Sequence, residues 1–193
     1  MATTLDLVRT IAGEQSGLFT ARQAADEGVS YPAFLMLARR GRLERPARGV
    51  YRLPIWPADD RAQYFLGLLW LQANRILPWA VISHESALEL YDLTNLNPSA
   101  IHVSVPRGTR SVRDIPEWLR IHREDVPIND RWIERNVPCV TVPRAIEEIA
   151  DLGFDRVHEA VSDAREKHLL RDDELKRLVA RFGDEILEPY HRT

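Results

Sequence analysis

The sequence predicts an α+β protein in two parts, a small helical head ending in a hairpin and a larger body that mixes a small sheet with several helices. Three observations carry this. Between Ser30 and Arg52 stand six arginines, Arg39, Arg40, Arg42, Arg45, Arg48 and Arg52, against one acid, Glu44, although the formal charge of the 193-residue chain is −3. Short amphipathic stretches and a basic hairpin fill the first 53 residues, whereas the rest reads as a helix, then strands, then helices, without regular βαβ alternation. The Pro-bracketed Pro54-Ile55-Trp56-Pro57 separates the two regimes, which places the domains at 1–54 and 58–193.

In the head, Leu5, Val8, Ile11 and Ala12 recur at helical spacing, with Thr4 as cap and Gly13 near the end. Gly17-Leu18-Phe19 reads as a short extended entry. Thr20 is placed to cap a second helix over 21–27, and Gly28 supplies the turn. Ser30 is the expected N-cap of a third helix with Pro32 in its first turn, where amides lack intrahelical partners; Gly41 ends it. Phe34, Leu37 and Ala38 share its inner face. Residues 43–45 and 50–53 then make two strands around a Gly49 bend. Helix, turn, helix and basic hairpin in this order read as a winged helix-turn-helix.

That reading assigns DNA contacts to Ser30 and Tyr31 at the start of the third helix, which enters a major groove by its N-terminal half, and to Arg39, Arg40, Arg42, Arg45 and Arg48 along the phosphates. Roughly four phosphate contacts per subunit give steep salt sensitivity, about 0.9 in log–log slope for each. The groove-facing positions Tyr31, Pro32, Leu35 and Met36 lack the Arg, Asn or Gln of a strong base reader. Either thymine methyls are read or this face touches protein, and modest specificity sharpened by a homodimer on DNA is the expectation. Charge asymmetry agrees: residues 1–53 hold eight arginines and five acids, +3, which leaves −6 for the remainder.

In the body, a helix from Asp59 carries Tyr64, Phe65, Leu68, Leu69 and Leu71 and is expected to be wrapped by its neighbours. Residues 80–82 form a candidate strand, and Ser83 caps a helix to Leu90. Ile101 to Val105 alternates as a half-buried strand should; 118–122 and 137–140 add two more. Apolar spacing then predicts three closing helices, around Ile146 and Ile149, over Phe154 to Ala164, and from Asp172 to Phe182.

Composition, with 45% hydrophobic and 28% charged residues, describes an ordinary globular protein. No early apolar run resembles a signal peptide and none approaches the length of a membrane span, so a cytoplasmic protein without a membrane partner is expected. The lone Cys139 reads as a buried small hydrophobe. His84, His102 and His122 fit no zinc spacing and read as ordinary surface or hydrogen-bonded histidines. Phosphate-loop, nucleophile-elbow and HExxH motifs are absent, and Asp163, Glu166 and Lys167 lie on one helix instead of a strand pair. The expectation is a non-enzyme without cofactor, metal or catalytic residues. A second basic loop, Arg107-Gly108-Thr109-Arg110 with Arg113, either helps to hold DNA or is a solvated turn.

The stretches 17–25 (GLFTARQAA), 28–30 (GVS), 39–45 (RRGRLER) and 48–53 (RGVYRL) resemble the N-terminal winged helix of AbiEi-type antitoxins, the run from Arg39 to Leu53 most specifically. Residues 80–88 (AVISHESAL), 101–108 (IHVSVPRG) and 141–146 (TVPRAI) are similar to the blocks that follow it in that family, so the resemblance spans about 17–175. It implies the antitoxin of a two-gene toxin–antitoxin operon, one that represses the operon through its winged helix and counteracts a nucleotidyltransferase-like toxin of the AbiEii type through its C-terminal domain. Where Tyr31, Leu35 and Met36 stand, such proteins more often carry basic or polar residues, so no operator sequence carries over. The alternative is a stand-alone transcriptional regulator whose second domain dimerises or senses a ligand.

Overall fold

The computed structural model describes residues 3–57, 59–74, 79–93, 98–110 and 114–190. The chain forms two compact units, Met1–Ala80 with Pro106–Pro116, and Val81–Val105 with Glu117–Thr193.

The first unit opens with α1, Thr4–Gly13. Its cap is Thr3, not Thr4: Thr3 Oγ1 accepts from the Asp6 amide while the Asp6 carboxylate accepts from the Thr3 amide, which satisfies two orphan first-turn groups at once. Strand β1, Leu18–Thr20, leads directly into α2, Ala21–Asp26, where Thr20 and Gln23 repeat the reciprocal cap. Ser30 caps α3, Tyr31–Arg39, by accepting from the Ala33 amide at 3.4 Å. Strands β2, Glu44–Ala47, and β3, Val50–Arg52, form the hairpin, and β3 pairs antiparallel with both β1 and β2. The core is one cluster of Val8, Ala12, Phe19, Ala24, Val29, Phe34 and Leu53, against which Leu37 and Tyr51 pack. Phe34 meets Tyr51 edge-on at 4.8 Å between ring centroids, so the third helix is fixed to the hairpin by aromatic contact.

This unit continues past the expected boundary at 54–58. Trp56 joins the head's core, and its side chain lies so near Gly17 that an added Cβ would sit 2.5 Å from the Trp56 Cβ; with φ +82, only glycine fits there. Asp59 accepts from Ser16 Oγ at 3.0 Å and pairs with Arg61, which holds its carboxyl well below the usual range. Helix α4, Ala62–Ala73, packs on β1 and β3, burying Tyr64, Phe65, Leu69, Trp70 and Leu71. Its Ala73 sits where a Cβ on Gly49 would come within 2.7 Å of the Ala73 Cβ. A Pro-rich segment thus reads as a linker but is held by a half-buried indole.

The second unit is built on a mixed five-stranded sheet. Its strands are β4, Val81–Ile82; β5, Ile101–Val105; β6, Leu119–Arg123; β7, Arg131–Glu134; and β8, Val137–Val140, in spatial order β6-β5-β4-β8-β7. Pairs β4–β8 and β5–β6 are parallel; β4–β5 and β7–β8 are antiparallel. Strand β5 is buried at every position, not at alternate ones, because it runs inside the sheet. Strand β7 was not foreseen: it is an edge strand whose Trp132 and Ile133 are both exposed, so neither alternation nor burial marks it. Helices α5, His84–Leu90; α6, Val142–Glu148; α7, Phe154–Glu166; and α8, Asp172–Phe182 complete the unit. The last three are those that the apolar spacing predicts.

Candidate functional site

The first unit displays the basic stretch on successive elements. Arg39 is the last residue of α3 and Arg40 its C-cap; Arg42 follows in the turn, Arg45 lies on β2 and Arg48 at the hairpin tip, and all five are exposed. The ion pairs described in this unit use Arg9, Arg22 and Arg61 instead. Among the described residues none of the five has an acidic partner, so each guanidinium keeps its donors free for a phosphate. Arg45 stands over the Tyr51 ring at 6.0 Å from its centroid, a contact that steers the side chain without using its hydrogen-bond donors. Arg52 differs: it is half-buried with its Nε unpartnered and belongs to the base of the hairpin.

On α3, Ser30 and Tyr31 are exposed, Tyr31 by 71% and Met36 by 50%. The face expected to enter a groove is therefore open and largely apolar. In the second basic loop Arg107 and Arg110 are exposed in a turn closed by a Thr109 N–H to Pro106 C=O bond; Arg113 lies outside the described residues.

The second unit holds a polar cluster that sequence spacing does not reveal. His84, the first residue of α5, and His122, on β6, stack at 3.6 Å between centroids, and His122 Nε2 lies 3.2 Å from His102 Nδ1 on β5. His102 Nδ1 also faces Glu85 Oε2 at 2.9 Å. Three sequence-distant histidines meet because the parallel register sets His122 beside Ser104, two residues and therefore one same-face step from His102. Alternating polar residues at 102 and 104, and at 120 and 122, within apolar strands are the sequence signal for this face. Zinc patterns are local in sequence, whereas this cluster is assembled by a sheet.

Ser83 occupies the N-cap of α5 without capping it. Its hydroxyl instead lies 2.7 Å from Ser104 Oγ and 3.1 Å from His84 Nδ1. Ser104 Oγ is also 2.6 Å from Glu124 Oε1. Arg144 on α6 bridges Glu124 and Glu148, each at 2.6 Å, and Glu148 accepts the His84 backbone amide at 2.9 Å. Burial pushes Glu148 up to about 7 against the pull of Arg144. Burial likewise lowers His84 to about 3, helped by its two histidine neighbours, and His102 and His122 to about 4 each, so all three imidazoles are neutral at pH 7. Cys139 is fully buried beside the Tyr91 hydroxyl and its thiol is raised to about 11, an inert position.

Asp163, Glu166 and Lys167 do not form a carboxylate site. Lys167 Nζ instead donates to the Asp92 carbonyl at the turn after α5.

The first unit thus contains a winged helix-turn-helix, α1 to α3 and a three-stranded sheet whose hairpin carries exposed arginines, with α4 packed on that sheet. Residues 6–54 match the family model of the AbiEi antitoxin transcriptional regulators, which bears out the resemblance over that stretch. Among solved structures, the crystal structure of the RV2827C protein from Mycobacterium tuberculosis is similar at a TM-score of 0.51 and 17% identity, over 90% of this chain and 70% of that one, a likeness of fold. No curated protein matches the chain. Among the described residues no helix is long and apolar enough to cross a membrane. The segments around Ser83, His102 and Arg144 converge on the polar cluster.

Proposed function

We propose that the chain is an antitoxin that binds operator DNA through the winged helix and represses its own operon, while the second unit counteracts a nucleotidyltransferase-like toxin. The observation that carries the DNA half is the run of five exposed, unpaired arginines from the end of α3 to the hairpin tip, within the stretch that matches the regulator family. Phosphates take Arg39, Arg40, Arg42, Arg45 and Arg48; Ser30 and Tyr31 meet the groove. Apolar Tyr31 and Met36 favour contact with thymine methyls over bidentate base reading, so shape and a second copy on the DNA supply much of the specificity.

For the toxin half, support comes from the exposed apolar edge of the second unit, with Ile128, Trp132 and Ile133 exposed by 73%, 58% and 65%. The polar cluster favours one further reading, a regulator whose second unit senses a ligand. Gel shifts over a salt series with the duplex upstream of the gene, run beside growth rescue during co-expression with the adjacent gene product, test the proposal. A shift with rescue is expected. DNA binding with no rescue by any neighbouring gene favours the ligand-sensing regulator, and no shift at low salt removes the repressor half.

A further inference from the structure

We infer that His84, His102 and His122 are the ligand set of a divalent transition-metal site of the zinc class in the second unit, three imidazoles with one coordination position left open. This site belongs to the second unit and goes beyond the function proposed above.

The separations suit such an ion. Each histidine offers one ring nitrogen, and the three nitrogens lie within 4.8 Å of one another. A tetrahedral ion with bonds of about 2.0–2.1 Å needs its ligand atoms about 3.3 Å apart. His122 Nε2 and His102 Nδ1, at 3.2 Å, are already at that spacing. The third nitrogen has to approach by no more than about 1.5 Å to meet the same geometry.

The proton arrangement is frustrated without a cation. A proton on His102 Nδ1 directed at Glu85 Oε2 is not directed at His122; a bare Nδ1 can accept from His122 but then faces the carboxylate lone pair to lone pair. A bound cation takes the nitrogen lone pairs of His102 and His122 and attracts the Glu85 carboxylate beside them.

Carboxylates also stand behind the imidazoles as they do in metal centres. Glu148 Oε2 lies 3.4 Å from His84 Nδ1, takes the same residue's backbone amide at 2.9 Å, and is itself fixed by Arg144. Such partners hold ring orientation and raise ligand basicity. Around the cluster the acids Glu85, Glu124 and Glu148 outnumber the guanidiniums of Arg144 and Arg120. Finally, His84 has φ +53, a left-handed conformation that a non-glycine residue holds only where its surroundings enforce it, and its backbone is held there by Glu148. Imidazole nitrogen selects zinc, cobalt, nickel and copper over magnesium and calcium.

The test uses the untagged full chain, stripped with EDTA, exchanged into chelator-free buffer at neutral pH and titrated with Zn²⁺ against a chromophoric chelator and with Co²⁺ by visible absorption. One zinc per chain is expected, with a cobalt d–d band displaced by zinc and not by excess Mg²⁺. H102A and H122A each lower zinc affinity by at least about tenfold and alter the cobalt band, whereas H158A and H168A leave both unchanged. Where an alanine variant fails to fold, as judged by circular dichroism, H122Q takes its place, and the wild-type thermal midpoint is compared with Zn²⁺ and with Mg²⁺. A midpoint raised only by zinc supports the site. Absence of the cobalt band together with a zinc-independent midpoint overturns the assignment, as does zinc binding that the variants of His84, His102 and His122 leave unchanged.

Discussion

Arginine has opposite fates in the two units. In the first, among the described residues, Arg39, Arg40, Arg42, Arg45 and Arg48 stand exposed without an ion-pair partner; in the second, Arg144 is held between Glu124 and Glu148, and Arg177 reaches Glu147 at 2.6 Å. The contrast follows from local acid content. Only Glu44 interrupts the first stretch, so its guanidiniums are available to an external anion without breaking an internal pair. The strands and helices of the second unit supply carboxylates at each turn, and there the guanidinium holds elements together. Net charge alone, −3 for the chain, hides this division.

Removing the half-buried Arg144 should give the largest effect. Arg144→Ala leaves Glu124 and the nearly buried Glu148 carboxylate without their counter-ion, and chemical denaturation should show a loss of about 3 kcal/mol in the second unit with DNA affinity retained. A loss below about 1 kcal/mol would place the triad among surface pairs. The double variant Arg45→Ala, Arg48→Ala should keep its stability yet bind every duplex more weakly, by about 100-fold near 0.1 M salt if each arginine neutralises one phosphate. Fluorescence anisotropy on two unrelated sequences checks that the loss is uniform.

Acid sharpens the comparison further. His84, His102 and His122 are depressed below their unfolded value of about 6.5, so they contribute stability above that pH that is lost as pH falls towards about 4. Glu148, raised to about 7, works in the opposite sense, one group against three. In EDTA-treated protein, thermal unfolding between pH 7 and 4.5 should therefore destabilise the second unit. A rise in its midpoint on acidification would contradict the burial of the three rings. Least affected should be Arg171→Ala: its side chain is 74% exposed beside Asp173 and Glu174, and it should shift stability by no more than about 0.5 kcal/mol.

Legibility in the sequence divides along the same line. Thr20, Ser30 and Gly41 announce helix ends through interactions that span three or four residues, and the arginines cluster within one stretch, so the winged helix is readable from local pattern. Trp56 defeats that approach, because its burial against Gly17 depends on contact across 39 residues of chain and turns an apparent linker into core. The histidine cluster is also non-local: it needs the β5–β6 register, which no spacing rule contains. Strand β7 escapes because its apolar side chains face solvent.

The salt dependence of DNA binding tests the central claim most directly. With the intact chain and the duplex upstream of its gene, the log-affinity should fall against log-salt with a slope of about −4 per subunit, and the Arg45→Ala, Arg48→Ala variant should reduce that slope by about 2. No binding at low salt, or an unchanged slope in the variant, would contradict it.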